Sequence, residues 1–89
     1  MRAYKLLLQG KLYKTGFRFY ALEKAVEFDV KGFIMYTTDR DVIIHAEGEE
    51  QNLDHFVQWC RKGMLCCKVS RADVQETVPK QHNDFKIST

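Results

Sequence analysis

Two stretches of helical spacing, separated by a pair of strand-like segments, constrain the fold of this chain more than any other feature. Apolar residues recur every three or four positions in residues 17–29 and again in residues 53–60, which predicts two amphipathic helices. Between them, residues 32–36 and 42–47 are rich in β-branched or aromatic side chains and flank the polar stretch 37–41. That arrangement predicts a β-hairpin.

Further strand-like segments bracket these helices. Residues 4–9, 68–78 and 85–87 have the composition of strands, and the irregular pattern of 68–78 predicts a β-bulge. The order strand, helix, strand, strand, helix, strand is typical of the split βαβ arrangement. We therefore expect an α+β, ferredoxin-like fold (βαββαβ): a single domain over residues 1–89, with an antiparallel sheet and both helices on one face. We expect Asn52, or a residue near it, to cap the second helix.

The size and charge of the chain exclude several classes of function. Its 89 residues suffice for one small domain, and its hydrophobic fraction of 45% argues against disorder. A net charge of +2 is too small to indicate binding to nucleic acid or to a membrane surface. No apolar run approaches the roughly 20 residues of a membrane span, and the apolar start is too short for a signal peptide. We therefore expect a cytoplasmic protein, and a monomer.

The cysteines and histidines form no recognisable site in the sequence. Three cysteines without a C-x-x-C motif argue against a disulfide framework. We expect Cys60 to pack in the core, and the role of Cys66 and Cys67, redox chemistry included, stays open. The histidines share no metal-ligand spacing, so we expect no metal and a surface or half-buried position for each of His45, His55 and His82.

The segment between the first strand and the first helix is a candidate anion-binding loop. Gly10 and Gly16 bracket it, and Arg18 stands just inside the predicted helix. The first N–H groups of a helix lack intrahelical partners, and the helix dipole favours negative charge there. An arginine at this point opposes the dipole unless an anion is bound, so the pattern indicates a phosphate or carboxylate site. An ion pair between Arg18 and a protein carboxylate is the alternative.

The first helix is expected to turn Arg18 toward the body of the protein. At about 100° per residue, Arg18 falls within the arc of the apolar side chains. The side chains that we expect to face the core are Phe17, Ala21, Leu22, Ala25, Val26 and Phe28. The split βαβ order also lets a hairpin strand lie beside the loop, so the site would have one wall of main-chain N–H groups and one of strand side chains.

Five segments of the chain resemble motifs of the acylphosphatase family. Residues 10–18 are GKLYKTGFR, beside the family's G-x-V-Q-G-V-G-F-R, and residues 32–42 are GFIMYTTDRDV, beside G-W-V-R-N-T-x-D-G-x-V. Residues 46–48 match A-E-G, residues 56–63 match F-x-x-W-C-x-x-G, and residues 85–87 match F-x-I. Although no single motif is decisive, the five in register cover nearly the whole chain and are specific for fold and ancestry.

The resemblance implies a small hydrolase that needs neither metal nor cofactor. Such enzymes split an acyl phosphate into a carboxylate and inorganic phosphate, so the implied partner is a small-molecule acyl phosphate or inorganic phosphate. Arg18 matches the family's phosphate-binding arginine, whose planar fork can donate two hydrogen bonds to adjacent oxygens. Tyr36 stands at the position of the family's water-orienting asparagine. The other implied phosphate-binding residues are those of the loop: Tyr13, Lys14, Thr15, Gly16 and Phe17.

Departures from these motifs bear on activity. An asparagine amide can accept from a water and donate elsewhere, whereas the longer phenol of Tyr36 could fill the water's place. Loss of one such group commonly lowers the rate about a hundredfold. Lys14 replaces a loop glycine. If this position requires a positive φ, the lysine is strained there; alternatively, its ammonium points at the anion and strengthens binding. Tyr13 replaces a glutamine, and Arg40 replaces the hairpin glycine, where we expect an effect on the turn and none on the chemistry.

Two functions follow from these matches and departures. Gly16 and Arg18 favour an acylphosphatase, weakened or inactive, whose machinery is the arginine and the loop N–H groups. Lys14 and Tyr36 favour a non-catalytic module on the same fold that binds a phosphate, a carboxylate or a partner protein.

Overall fold

The chain forms two helices and six strands within the residues that its computed structural model describes, 1–64 and 67–88. The elements are β1 (Arg2–Gly10), α1 (Phe17–Glu27), β2 (Lys31–Tyr36), β3 (Val42–Gly48), α2 (Glu50–Lys62), β4 (Gly63–Met64), β5 (Cys67–Thr77) and β6 (Phe85–Ile87). The predicted order of elements is confirmed, with the two-residue strand β4 added. Cys66 lies outside the described residues. No helix among the described residues is long and apolar enough to cross a membrane.

The strands form one sheet in the order β4-β5-β1-β3-β2-β6. The predicted antiparallel pairing holds except at one edge, where β6 runs parallel to β2 and the sheet is therefore mixed. The reason lies in the path of the chain. Ala3 pairs with Thr77 at the end of β5 and with Glu47 in β3, which in turn pairs with Lys31 at the start of β2. Residues 78–84 thus cross one end of the sheet, and β6 must start where β2 starts.

A single core lies between the sheet and the two helices. Alternate side chains of the central strands are fully buried, among them Leu6, Ile34 and Ile44, and they pack against side chains of both helices. Burial of each large apolar side chain contributes about 1.5–3 kcal/mol. The prediction that both helices lie on one face is confirmed.

The buried face of α1 is narrower than the sequence suggested. Phe17, Ala21 and Ala25 are fully buried, whereas Val26 is 70% exposed, so its predicted core position is wrong. At 100° per residue, Val26 lies about 140° from the centre of the buried face, while Arg18 lies about 60° from it. Arg18 is accordingly half-buried at the edge of that face.

The second helix begins earlier than predicted. Glu49 is its N-cap and forms no side-chain capping hydrogen bond, and Glu50 is the first helical residue. Asn52 therefore lies within the first turn and is not the cap. β3 ends at Gly48, only two residues before the helix, so the helix begins directly after the strand. The carboxylate of Glu50 in the first turn interacts favourably with the helix dipole.

The predicted β-bulge is confirmed, and it lies where β1 ends and the candidate loop begins. Gln9 pairs with Arg71 but Gly10 pairs with Val69, which leaves Ser70 as the extra residue of β5. Gly10 has a φ of 150°, and a Cβ there would stand 2.3 Å from a backbone carbonyl oxygen of β5. Only glycine therefore fits where β1 ends and the loop begins.

Candidate functional site

The loop between β1 and α1 is held by Thr15 and anchored by Leu12. Leu12 is fully buried, and its carbonyl oxygen accepts hydrogen bonds from the Thr15 hydroxyl at 2.6 Å and the Thr15 N–H at 3.4 Å. The same hydroxyl oxygen accepts the N–H of Phe17 at 3.3 Å. The ring of Phe17 is buried and stacks on Trp59 at 5.4 Å, so this residue fixes the start of α1 by packing.

The start of α1 is short of acceptors. Its N-cap is Gly16, which lies in the left-handed region with a φ of 84° and forms no side-chain capping hydrogen bond. The first turn of the helix contains no acidic residue. Among residues 1–64 and 67–88, the structure gives no acceptor for the N–H groups of Tyr13, Gly16 and Arg18. Free N–H groups at the positive end of a helix dipole favour an anion.

Arg18 lies over the aromatic ring of Tyr36. Its guanidinium carbon is 4.2 Å from the ring centroid, a cation–π distance. Within the described part of the chain it forms no salt bridge, so the alternative of an ion pair with a protein carboxylate finds no support there. Since a ring contact of this kind uses none of the guanidinium N–H groups as hydrogen-bond donors to oxygen, those donors remain available to a ligand.

The hydroxyl of Tyr36 connects β2 to the loop. Its oxygen accepts the N–H of Lys14 at 3.2 Å and its proton points to the carbonyl of Leu12 at 3.3 Å. The ring also lies 4.9 Å from that of Tyr13, at a tilt of 56°. The phenol thus pairs with one of the loop N–H groups.

Lys14 stands where the family motif has a glycine, and its backbone adopts a conformation that favours glycine. Its φ is 59°, in the left-handed region that costs a side-chain-bearing residue about 1–2 kcal/mol. Its ammonium lies 5.6 Å from the centroid of the Tyr13 ring, so the charge stays beside the loop. The backbone strain expected for a positive φ is therefore present, and the strengthening of anion binding by the ammonium stays a prediction.

Arg40 reaches the same place from the β2–β3 turn. Its φ of 66° lies in the left-handed region that favours glycine. Its guanidinium carbon is 4.7 Å from the centroid of the Tyr13 ring. Arg40 thus brings its charge beside the loop in addition to its place in the turn, and the expectation that it has no effect on the chemistry stays a prediction. We call this group of two phenols and three cations the loop site; its members are Tyr13, Lys14, Arg18, Tyr36 and Arg40.

Two cysteines and two histidines among the described residues are not members of the loop site. Cys60 is fully buried in the core as predicted, and burial raises the pKa of its thiol, which keeps it protonated and inert. Cys67 is also buried, with its sulfur 3.8 Å from the carbonyl oxygen of Thr15. His45 is buried and lies beside His82, so the expected surface or half-buried position is wrong for His45. Only a three-dimensional pairing joins these two histidines; no local pattern signals it.

The fold and the loop site define a class: a small α+β domain that, within its described residues, has unpaired N–H groups and cationic side chains where its first loop meets its first helix. A family model named Acylphosphatase matches residues 4–87. The chain belongs to the acylphosphatase family. Members of this family act on small-molecule acyl phosphates.

Individual relatives match over their full length. An acylphosphatase of Thermotoga maritima is 37% identical over 87 residues, with 98% of this chain and 97% of the relative covered. One from Lactiplantibacillus plantarum is 33% identical over 89 residues, with 99% of both covered. The crystal structure of an acylphosphatase from Bacillus subtilis superposes with a TM-score of 0.94, at 29% identity and complete coverage of both chains.

Proposed function

We propose that this protein hydrolyses acyl phosphates to a carboxylate and inorganic phosphate, with the phosphoryl group bound by Arg18 and the loop N–H groups. One observation supports this most: Arg18 stands at an uncapped helix start with no carboxylate partner among the described residues. The names of the full-length relatives point the same way.

The proposed chemistry relies on position and charge. The positive end of α1 and the guanidinium of Arg18 stabilise the equatorial phosphate oxygens, on which charge spreads in the transition state. The oxygen of a water attacks phosphorus, and the bond from phosphorus to the acyl oxygen breaks with its electron pair going to the carboxylate. A phosphate oxygen of the substrate accepts the proton that the water loses. The cations Lys14 and Arg40 attract the substrate to the site.

Tyr36 makes this reaction slow in our proposal. Its hydroxyl holds the N–H of Lys14 at 3.2 Å, so a bound phosphate must share or displace that hydrogen bond. A phenol oxygen can still accept from a water and donate to the Leu12 carbonyl, which leaves a route for turnover.

The proposal extends to how the protein works in the cell. We propose that residues 1–89 act as one domain, as a monomer in the cytoplasm, on a free acyl phosphate and without metal or cofactor. Nucleic acid and membranes have no part in it.

Replacing Arg18 tests the proposed site. Arg18→Ala is expected to lower kcat/KM for benzoyl phosphate about a hundredfold or more, because it removes a charged donor to the transition state. The matched control is Arg61→Ala, an exposed arginine on α2, which should stay within about twofold. Wild-type activity in Arg18→Ala would overturn the assignment of Arg18.

The second candidate function is a non-catalytic phosphate-binding module. The hydrogen bond from Lys14 N–H to the Tyr36 hydroxyl favours it, because that contact occupies the loop. Calorimetric titration with inorganic phosphate separates the two. Binding that depends on Arg18 without any hydrolysis of benzoyl phosphate supports the module, whereas measurable turnover that depends on Arg18 supports the enzyme.

A further inference from the structure

Two histidines and a glutamate converge at the end of the sheet opposite the loop site. His45 and Glu47 lie on β3 and alternate with the core residues Ile44 and Ala46, so their side chains project from the face away from the helices. His82 comes from residues 78–84, which cross this end of the sheet. One ligand atom from each residue lies within 4.8 Å of the others. We call these three residues the histidine cluster.

Two of the three residues of the cluster are buried, His82 is half-buried, and all three are held by their surroundings. The side chain of Glu47 is 1% exposed and that of His45 is 8% exposed. One carboxylate oxygen of Glu47 accepts the N–H of Lys80 at 2.7 Å, and the other accepts the N–H of His82. The ring of His45 stacks on Phe33 at 5.7 Å, and the ring of His82 meets His45 edge-on at 5.2 Å. Ligands oriented in this way by hydrogen bonds and packing are typical of metal sites.

One atom of the cluster has no partner. Nε2 of His82 is buried and makes no hydrogen bond to any described residue. A buried polar atom of this kind requires an explanation, because nearly all buried polar atoms in proteins are paired. A hydrogen-bond network limited to His45 and Glu47 leaves it unexplained, whereas a bound cation would use its lone pair.

We propose that the histidine cluster binds a divalent transition-metal ion of the zinc type through His45, Glu47 and His82. Two imidazoles and one carboxylate suit zinc, whereas magnesium and calcium prefer oxygen ligands throughout. Two ligand atoms at about 2.0 Å from a tetrahedral ion lie about 3.3 Å apart. Nε2 of His45 and Oε2 of Glu47 are 3.4 Å apart, so these two atoms already have the required separation.

The ion would join two parts of the chain without touching the loop site. It links β3 to the segment before β6, beside the two N–H groups that Glu47 already accepts. At the other end of β3, Val42 pairs with Tyr36 of the loop site, whereas Glu47 pairs with Lys31. The metal site therefore stands apart from the proposed hydrolysis and does not depend on it.

Zinc titration of the metal-free, full-length protein against a chromophoric chelator tests the proposal. We expect one zinc ion per chain, and an affinity about tenfold or more lower in His82→Gln and in His45→Gln. The matched control is His55→Gln, an exposed histidine on α2, which should stay within about twofold. Equal binding by wild type and His82→Gln, or loss of binding in His55→Gln, would overturn the proposal.

Two further measurements keep the test independent of folding and of hydrolysis. Zinc at a concentration that saturates wild type should raise its melting temperature by at least about 5 °C and raise that of His82→Gln by clearly less, since the variant binds the ion more weakly. If His82→Gln does not fold, His45→Gln carries the same comparison. Hydrolysis of benzoyl phosphate by His82→Gln should equal that of wild type, so the metal site and the proposed enzyme can fail separately.

Discussion

The two ends of β3 differ in whether the polar groups around them are paired by hydrogen bonds. Near the loop site, Lys14 is held in the left-handed region, and the N–H of Gly16 has no acceptor among the described residues. At the other end, the buried carboxylate of Glu47 accepts the N–H groups of Lys80 and His82. One end is strained and leaves N–H donors unpaired. At the other, which we call the satisfied end, the carboxylate is fully paired within the protein, and only Nε2 of His82 is left without a partner among the described residues.

This difference shows how a small domain divides binding and stability. A ligand site needs hydrogen-bond donors that the protein leaves unpaired, and it often contains strained backbone. Unpaired donors and strained backbone both lower the stability of the fold. A buried carboxylate that accepts main-chain N–H groups instead fixes a long connection to the sheet. Substitutions at the two ends should therefore affect different measurements.

The largest effect is expected at the satisfied end. Glu47→Ala should lower the free energy of unfolding by about 3 kcal/mol, because it leaves two main-chain donors without an acceptor at roughly 1–3 kcal/mol each. Urea denaturation measures this change. The control Glu49→Ala, at an exposed N-cap without a side-chain hydrogen bond, should stay within about 0.5 kcal/mol of wild type. A loss below about 1 kcal/mol in Glu47→Ala would contradict the comparison.

Near the loop site, Tyr36→Asn should raise kcat/KM for benzoyl phosphate about tenfold, because it frees the N–H of Lys14 and supplies an amide for the attacking water. Steady-state kinetics measure the change. Tyr36→Phe is the matched control: it frees the same N–H without an amide, so phosphate binding should tighten while kcat does not rise. Equal or slower turnover in Tyr36→Asn would show that the phenol does not obstruct the site.

A smaller effect is expected from the strained backbone. Lys14→Gly should raise the free energy of unfolding by about 0.5–1 kcal/mol, since glycine adopts a φ of 59° without the strain of a side chain. Thermal denaturation detects this as a higher melting temperature. Lys11→Gly in the same loop, where φ is not positive, should have the opposite sign. Destabilisation by Lys14→Gly would mean that its side-chain contacts outweigh the strain.

The smallest effect is the dependence of stability on pH at the satisfied end. Burial alone would raise the pKa of the Glu47 carboxyl, but the N–H groups of Lys80 and His82 and the ring of His45 hold the pKa below its usual value. A carboxyl with a lowered folded-state pKa contributes stability above its unfolded pKa of about 4.3 and loses it as the pH falls through the folded value. Urea denaturation of wild type and Glu47→Gln between neutral and acidic pH should show a larger loss of stability in wild type than in the variant.

Local patterns predicted most of the elements and part of the loop site. The i, i+4 spacing of Phe17, Ala21 and Ala25 identified α1, and Gly16 beside Arg18 identified the start of that helix. Contacts across the chain were not predictable in this way. Nothing in the sequence near Arg40 indicates that its guanidinium reaches the ring of Tyr13, because that depends on how the hairpin packs against the loop.

By itself, the sequence determined the order of helices and strands, the bulge, the glycine-capped helix start and the family, since each depends on the spacing of residues along the chain. Only the tertiary structure decided that β6 runs parallel to β2, that the phenol of Tyr36 occupies the loop, and that His45, Glu47 and His82 meet. Those outcomes depend on where long connections cross the sheet, and the path of a connection is set by packing of the whole domain and not by local residue preference.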